Sequence, residues 1–226
     1  MPHNTIDKST IQFLKKLKKN NTREWFHDNK ASYKQAHDNF KSVVADVETE
    51  MNKIDVIEKV KHFRIYRDVR FSKDKTPYNT HFSASMSREG AHRRGGYYLR
   101  ISTEGHFIVG GFWNPEPKDM KLIRGHIAAE PNRLRKVLKS KTFTNYFGEL
   151  HGEQVKTAPK GFSKDDKAID LLRYKQLLAH KQIKEGDVVA ANYVKEVVKT
   201  FKAMHPFFNY MTDILTHDLD GIPLYE

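Results

Sequence analysis

Cysteine is absent from the 226 residues, which excludes disulfides, thiolate nucleophiles and Cys-ligated zinc or iron–sulfur centres, so the fold must hold by packing alone. No apolar run approaches the about 20 residues that a membrane span needs. The opening Met1-Pro2-His3-Asn4-Thr5 lacks the basic-then-apolar layout of a signal peptide. The cytoplasm is therefore the expected location, and no membrane partner is expected. The Gly-x-x-x-x-Gly-Lys loop, the Gly-x-Gly-x-x-Gly turn, the His-Glu-x-x-His helix and the Gly-x-Ser-x-Gly elbow are also missing. The 12 histidines are scattered rather than paired at ligand spacing. A His-based metal site would thus need tertiary assembly, and neither a metal nor a cofactor is expected. After Lys202 there is no Lys or Arg, and the remaining stretch carries Asp213, Asp218, Asp220 and Glu226.

What is present is aromatic and basic. Hydrophobic residues make up 38% of the chain and aromatics 12%, enough to build a core at a length suited to one domain. Lys and Arg total 40 against 28 Asp and Glu, a formal charge of +12 that attracts polyanions at long range. The excess is concentrated. Lys61, Arg64, Arg67, Arg70, Lys73 and Lys75 face only Asp68 and Asp74 within one short stretch.

Apolar spacing orders the chain into a helical part (1–56), a sheet with the basic motif (57–115) and a mainly helical part (116–226) of a single α+β domain. Ile11, Leu14 and Leu17 predict a first helix, and Trp25 to Met51 a second running from Thr22 to Ile54. Phe63, Ile65, Val69 and Phe71 alternate with Arg64, Tyr66, Asp68 and Arg70, which predicts a strand in which Arg67 alone breaks the pattern. Residues 79–87, 96–103 and 106–113 read as further strands, the last two joined at Thr103-Glu104-Gly105. The expected core is thus an antiparallel meander of about four strands flanked by N-terminal and C-terminal helices. Helical spacing returns from Pro117 to Leu138, and residues 174–183 read as an extended return. A heptad stripe from Ala190 to Leu215 contains Pro206, which predicts two consecutive core helices rather than a dimerising coiled coil.

The chemistry is densest in Arg64-Ile65-Tyr66-Arg67-Asp68-Val69-Arg70-Phe71-Ser72-Lys73-Asp74-Lys75-Thr76-Pro77-Tyr78. This run resembles the hallmark of the family catalogued as domain of unknown function 2461. The same family resemblance extends to Phe13-Leu14, Asn21 to Phe26, Asn29-Lys30, Tyr33, Gly96-Tyr97-Tyr98 and Arg124 near Ile127, nearly the whole chain. It implies no catalytic role for any residue.

Read physically, guanidinium forks suit phosphate or carboxylate oxygens, and Ser72, Thr76 and loop amides can add donors around one anion. Asp68 and Asp74 can instead hold the arginines in a purely structural network. They can also serve a metal-dependent hydrolase or phosphoryl-transfer enzyme, for which two carboxylates are a thin ligand set. Six cations against two anions leave a surplus that self-pairing does not neutralise. The expectation is that Arg64, Arg70, Ser72, Lys73, Lys75 and Tyr78 bind an anionic ligand, with nucleic acid a possible partner. Arg67, Asp68 and Asp74 are expected to form a structural ion-pair group. Tyr66, Phe71, Tyr78, Tyr97, Tyr98 and Trp113 are candidate base-stacking aromatics, and Arg88, Arg93, Arg94 and Arg100 extend the positive charge along the meander.

Overall fold

The computed structural model describes residues 5–90 and 92–224; the polar residues 1–4 and the acidic Glu226 lie outside them. A six-stranded antiparallel sheet is flanked by helices, with strand order β1-β2-β3-β4-β6-β5. Its strands are β1 (Ile57–His62), β2 (His81–Arg88), β3 (Gly96–Ser102), β4 (His106–Phe112), β5 (Leu150–His151) and β6 (Leu177–Ile183). The first four form the meander. β5 adds only two residues, Leu150 opposite Ala179 and His151 opposite Leu178, too few to show any period in sequence.

The chain forms two compact units. One comprises the residues up to Ser87 with Tyr98–Ile108 and Gln182–Lys199; the other comprises Arg88–Tyr97, Val109–Lys181 and the residues from Thr200 onward. In the first, α1 (Lys8–Lys19) buries Ile11, Phe13, Leu14 and Leu17 on one face. The stretch expected to be one helix is two. α2 (Arg23–Asp28) starts where the Thr22 hydroxyl accepts from the Trp25 N–H at 3.2 Å, and α3 (Lys30–Met51) follows after Asn29. Asn29 leaves the helical path at φ −105°, ψ 18° and donates from its carboxamide to the Trp25 carbonyl at 2.8 Å, the local competition with the helix ladder that Asn side chains provide. Phe82 on β2 is the centre of this unit's core, 6.3 Å from Phe13 and 5.8 Å from Phe40 between ring centroids. A one-turn helix, α8 (Glu185–Val188), holds the segment before α1, its Val188 carbonyl accepting the Ile6 N–H at 3.2 Å.

The second unit carries α4 (Pro117–Ala129), α5 (Pro131–Leu138), α6 (Lys141–Phe147) and α7 (Ile169–Leu172), with α10 (His205–Thr216). Proline at the first turn of α4, α5 and α10 costs nothing there because that N–H has no intrahelical partner. The heptad stripe divides between α9 (Tyr193–Ala203) and α10, with the break at Met204. Val197, Phe201, Met204, Phe208 and Met211 are all fully buried, so this stripe is core. Tyr97 lies 4.6 Å from Phe201 and 5.2 Å from Phe208.

Residues 63–71 are not a strand. Of the four apolar side chains assigned to one side, only Ile65 is buried (1% exposed), while Phe63 is 38% and Phe71 96% exposed. The stretch is a loop, touching sheet geometry only at an antiparallel bridge between Tyr66 and Tyr78.

Candidate functional site

Side chains of the motif loop bond to its own backbone, and this overrides the alternating pattern. Asp74 accepts from the Thr76 N–H at 2.9 Å and from the Thr76 hydroxyl, closing a tight turn. Arg67 Nη1 donates to Asp74 at 2.6 Å, to the Thr76 carbonyl at 2.9 Å and to the Thr76 hydroxyl, while Nη2 reaches Ser72 Oγ at 3.4 Å. The Asp74 carboxyl is accordingly held below its ordinary range by the Thr76 N–H, the Thr76 hydroxyl and Arg67. Lys75 folds back onto the carbonyls of Val69 (3.0 Å) and Arg70 (3.4 Å). Arg70 grips Asp68 with both Nε (3.0 Å) and Nη2 (2.7 Å). That pair lowers the Asp68 carboxyl and raises the guanidinium. Together these bonds hold the Phe71 tip outward.

The loop is latched to the start of α2 by one carboxamide. Asn21 donates Nδ2 to the Tyr78 carbonyl at 2.9 Å and accepts the Tyr78 N–H on Oδ1 at 3.1 Å, imitating a strand neighbour. Tyr78 is thereby set face to face with Phe26, ring centroids 4.0 Å apart at 15°.

Between α2 and this loop lies a pocket of about 420 Å³. Its aromatic wall is Phe26, Tyr66 and Tyr78, continued by Val69 and Pro77; its polar wall is Arg23, His27, Lys30 and Arg67. Among the described residues no carboxylate lines it. Because Arg67 is already matched by Asp74, the uncompensated charge comes from Arg23 and Lys30, both exposed. Burial pushes the Tyr78 hydroxyl pKa up.

Of the six residues expected to bind the ligand, Tyr78 alone lines this pocket. Arg64 and Lys73 are exposed on the loop. Arg70, Lys75 and Ser72 are engaged by Asp68, loop carbonyls and Arg67 respectively. Arg67 joins the pocket wall while pairing with Asp74. The pocket residues that sequence reasoning passed over, Arg23, His27 and Lys30, come from the Asn21-to-Lys30 segment, whose family-like residues were the available signal. Among the candidate stacking aromatics, Tyr97 (1% exposed) and Tyr78 (6%) are core, whereas Trp113 (68%) and Phe71 are open. In the second unit Arg94 pairs with Asp119, and the buried Arg88 lies 5.1 Å from the Phe208 ring. Among the described residues no three His, Asp or Glu side chains gather as a metal-binding group.

Comparison with known proteins identifies the family: the model described as conserved hypothetical protein (DUF2461) matches residues 9–210, and the chain belongs to it. No curated protein and no solved structure matches.

Proposed function

We propose that this member of the DUF2461 family binds a phosphate-bearing or other anionic ligand in the pocket between α2 and the motif loop. The observation that carries the reading is a wall with Arg23, Lys30, Arg67 and His27 and no carboxylate, set against three aromatic rings. Repulsion between Arg23 and Lys30 is relieved by an incoming anion, and a fork such as that of Arg23 suits two oxygens at once. A volume of about 420 Å³ suits a small molecule with one flat apolar part lying on Phe26, Tyr66 and Tyr78. The loop cations and Asp68 then serve as scaffold, and an enzymatic role for Asp68 and Asp74 is disfavoured because their oxygens already accept from arginines and from Thr76. No helix among the described residues is long and apolar enough to cross a membrane, and with no cysteine to protect we place the protein in the cytoplasm.

Thermal melting tests the binding. Millimolar inorganic phosphate or a nucleoside monophosphate should raise the parent's midpoint by mass action, and the Arg23→Ala, Lys30→Ala double variant should melt like the parent yet show no such rise. An unshifted parent, or a rise that survives in the double variant, would remove the basis for this assignment.

A further inference from the structure

The meander has a second surface, on the side away from the helices of the first unit. Successive strand residues point to opposite faces, and Phe82 on β2 meets Phe13 and Phe40 on the helical side. Leu99 and Ile101 on β3 and Ile108 on β4 are buried on that same side. Their neighbours Tyr98, Arg100 and Phe107 therefore occupy the other face, all partly exposed.

Four contacts tie this face into one row. Lys61 Nζ stands 5.1 Å from the Phe63 ring centroid; Phe63 lies 6.0 Å from Tyr98; Tyr98 lies 6.0 Å from Phe107 at an interplanar angle of 28°; and the Arg100 guanidinium is 5.4 Å from Phe107. Arg100 Nε is enclosed and has no hydrogen-bond partner. Between the rings β2 contributes the buried Ser83 and the half-buried Ser85, with His81 at its start beside Arg100. Lys59 shares the face of Lys61, and no carboxylate falls at the matching positions of these four strands within the unit. Glu104 in the β3–β4 turn pairs with Lys18 at 3.6 Å and acts on His81.

We propose that this face binds single-stranded nucleic acid, with two or three bases stacking along Phe63, Tyr98 and Phe107 and the phosphates held by Lys61 and Arg100. The alternation of rings and cations without a carboxylate argues for this occupant. Every base has an apolar π face, and its backbone supplies an anion for the half-buried Arg100 guanidinium beside Phe107. A protein partner seated on apolar surface would find little aliphatic area here. A duplex keeps its bases stacked inside and cannot offer them to a sheet. This surface is separate from the α2–loop pocket and does not depend on what that pocket holds.

Fluorescence anisotropy with a short labelled oligothymidine, and with a duplex of equal length, tests the assignment. The single strand should bind more tightly than the duplex. Tyr98→Ala and Phe107→Ala should each weaken single-strand binding about tenfold, equivalent to about 1.4 kcal/mol. The slope of log Kd against log salt should stay the same, because stacking releases no counterions. Arg100→Gln should weaken binding and also flatten that slope, and Tyr98→Phe should bind like the parent. Should the alanine variants melt early, Tyr98→Leu keeps apolar bulk without a ring: lost affinity at a parent-like midpoint supports the proposal, and retained affinity overturns it. Equal binding of duplex and single strand, parent-like affinity in Tyr98→Ala, or the same aromatic dependence with polyglutamate as ligand would each overturn it.

Discussion

Arg67 and Arg70 carry the same charge three positions apart, and their surroundings make them unequal. The Arg67 side chain is 23% exposed and closes the loop by donating to the Thr76 carbonyl and Asp74; the Arg70 side chain is 77% exposed and bonds only Asp68. Removing Arg67 leaves a carbonyl and a carboxylate without their donor, whereas removing Arg70 exchanges one solvated partner for water. Arg67→Ala should lower the melting midpoint by about 2–4 °C, the effect expected of one net hydrogen bond in a chain of this length. Arg67→Lys should not recover it, since a compact ammonium lacks the planar fork that spans Asp74 and Thr76 on one nitrogen and Ser72 on the other. Arg70→Ala should melt with the parent. Equal losses in Arg67→Ala and Arg70→Ala would mean that loop charge, not geometry, matters.

At the level of elements, β4 depends on a residue whose importance the sequence does not announce. Gly111 has φ +138°, and a Cβ there would run into the Leu177 carbonyl oxygen on β6. Gly111→Ala should therefore destabilise the protein by on the order of 2–3 kcal/mol, from the strained backbone and the displaced strand together, as read by urea unfolding. A midpoint unchanged from the parent would show that β4 and β6 can separate locally without loss. The elements that sequence did reveal are those with a sustained period: β2, β3 and β4 lie within two residues of the segments read from alternation, and the Val194-to-Leu215 stripe is buried as two helices broken next to Pro206. The loop at 63–71 was misread because Arg–apolar alternation is also what a chain looks like when arginines cap its own carboxylates and hydroxyls. The pocket was half legible. Its loop wall sits in the motif, but Arg23 and Lys30 reach it only through the Asn21–Tyr78 latch, a contact 57 residues apart in sequence that no local pattern encodes.

For the whole molecule, partly buried histidines set the response to acid. Burial, helped by the positive charge of Arg100, pushes the His81 pKa down to about 4, and burial lowers those of His37, His62, His106 and His180 as well. The unfolded chain takes up protons at about pH 6.5, so it binds more of them than the native state as pH falls below that value. Stability should be complete above about 6.5 and decline as pH drops toward about 4. The lowered carboxyls of Asp68, Asp74 and Asp170 add their own loss only below the ordinary aspartate value of 3.8. His81→Asn should flatten the decline between these limits in a pH series of melting midpoints. A profile as steep as the parent's would assign the effect to the other histidines. The first unit also has a history written into its chain order. Thr5 and Ile6 at the head of α1 bond the carbonyl of Val188, and 183 residues separate Thr5 from that partner. At about 5–20 residues per second the ribosome takes about 10–40 s to cover that distance. For most of that interval the nascent chain has α3 for α1 to pack against, but not the Val188 carbonyl that accepts the N–H of Ile6, a residue that ends fully buried. The seam between Ile6 and α8 therefore closes late, and until it does the newborn protein shows the cell an apolar edge that the finished one hides.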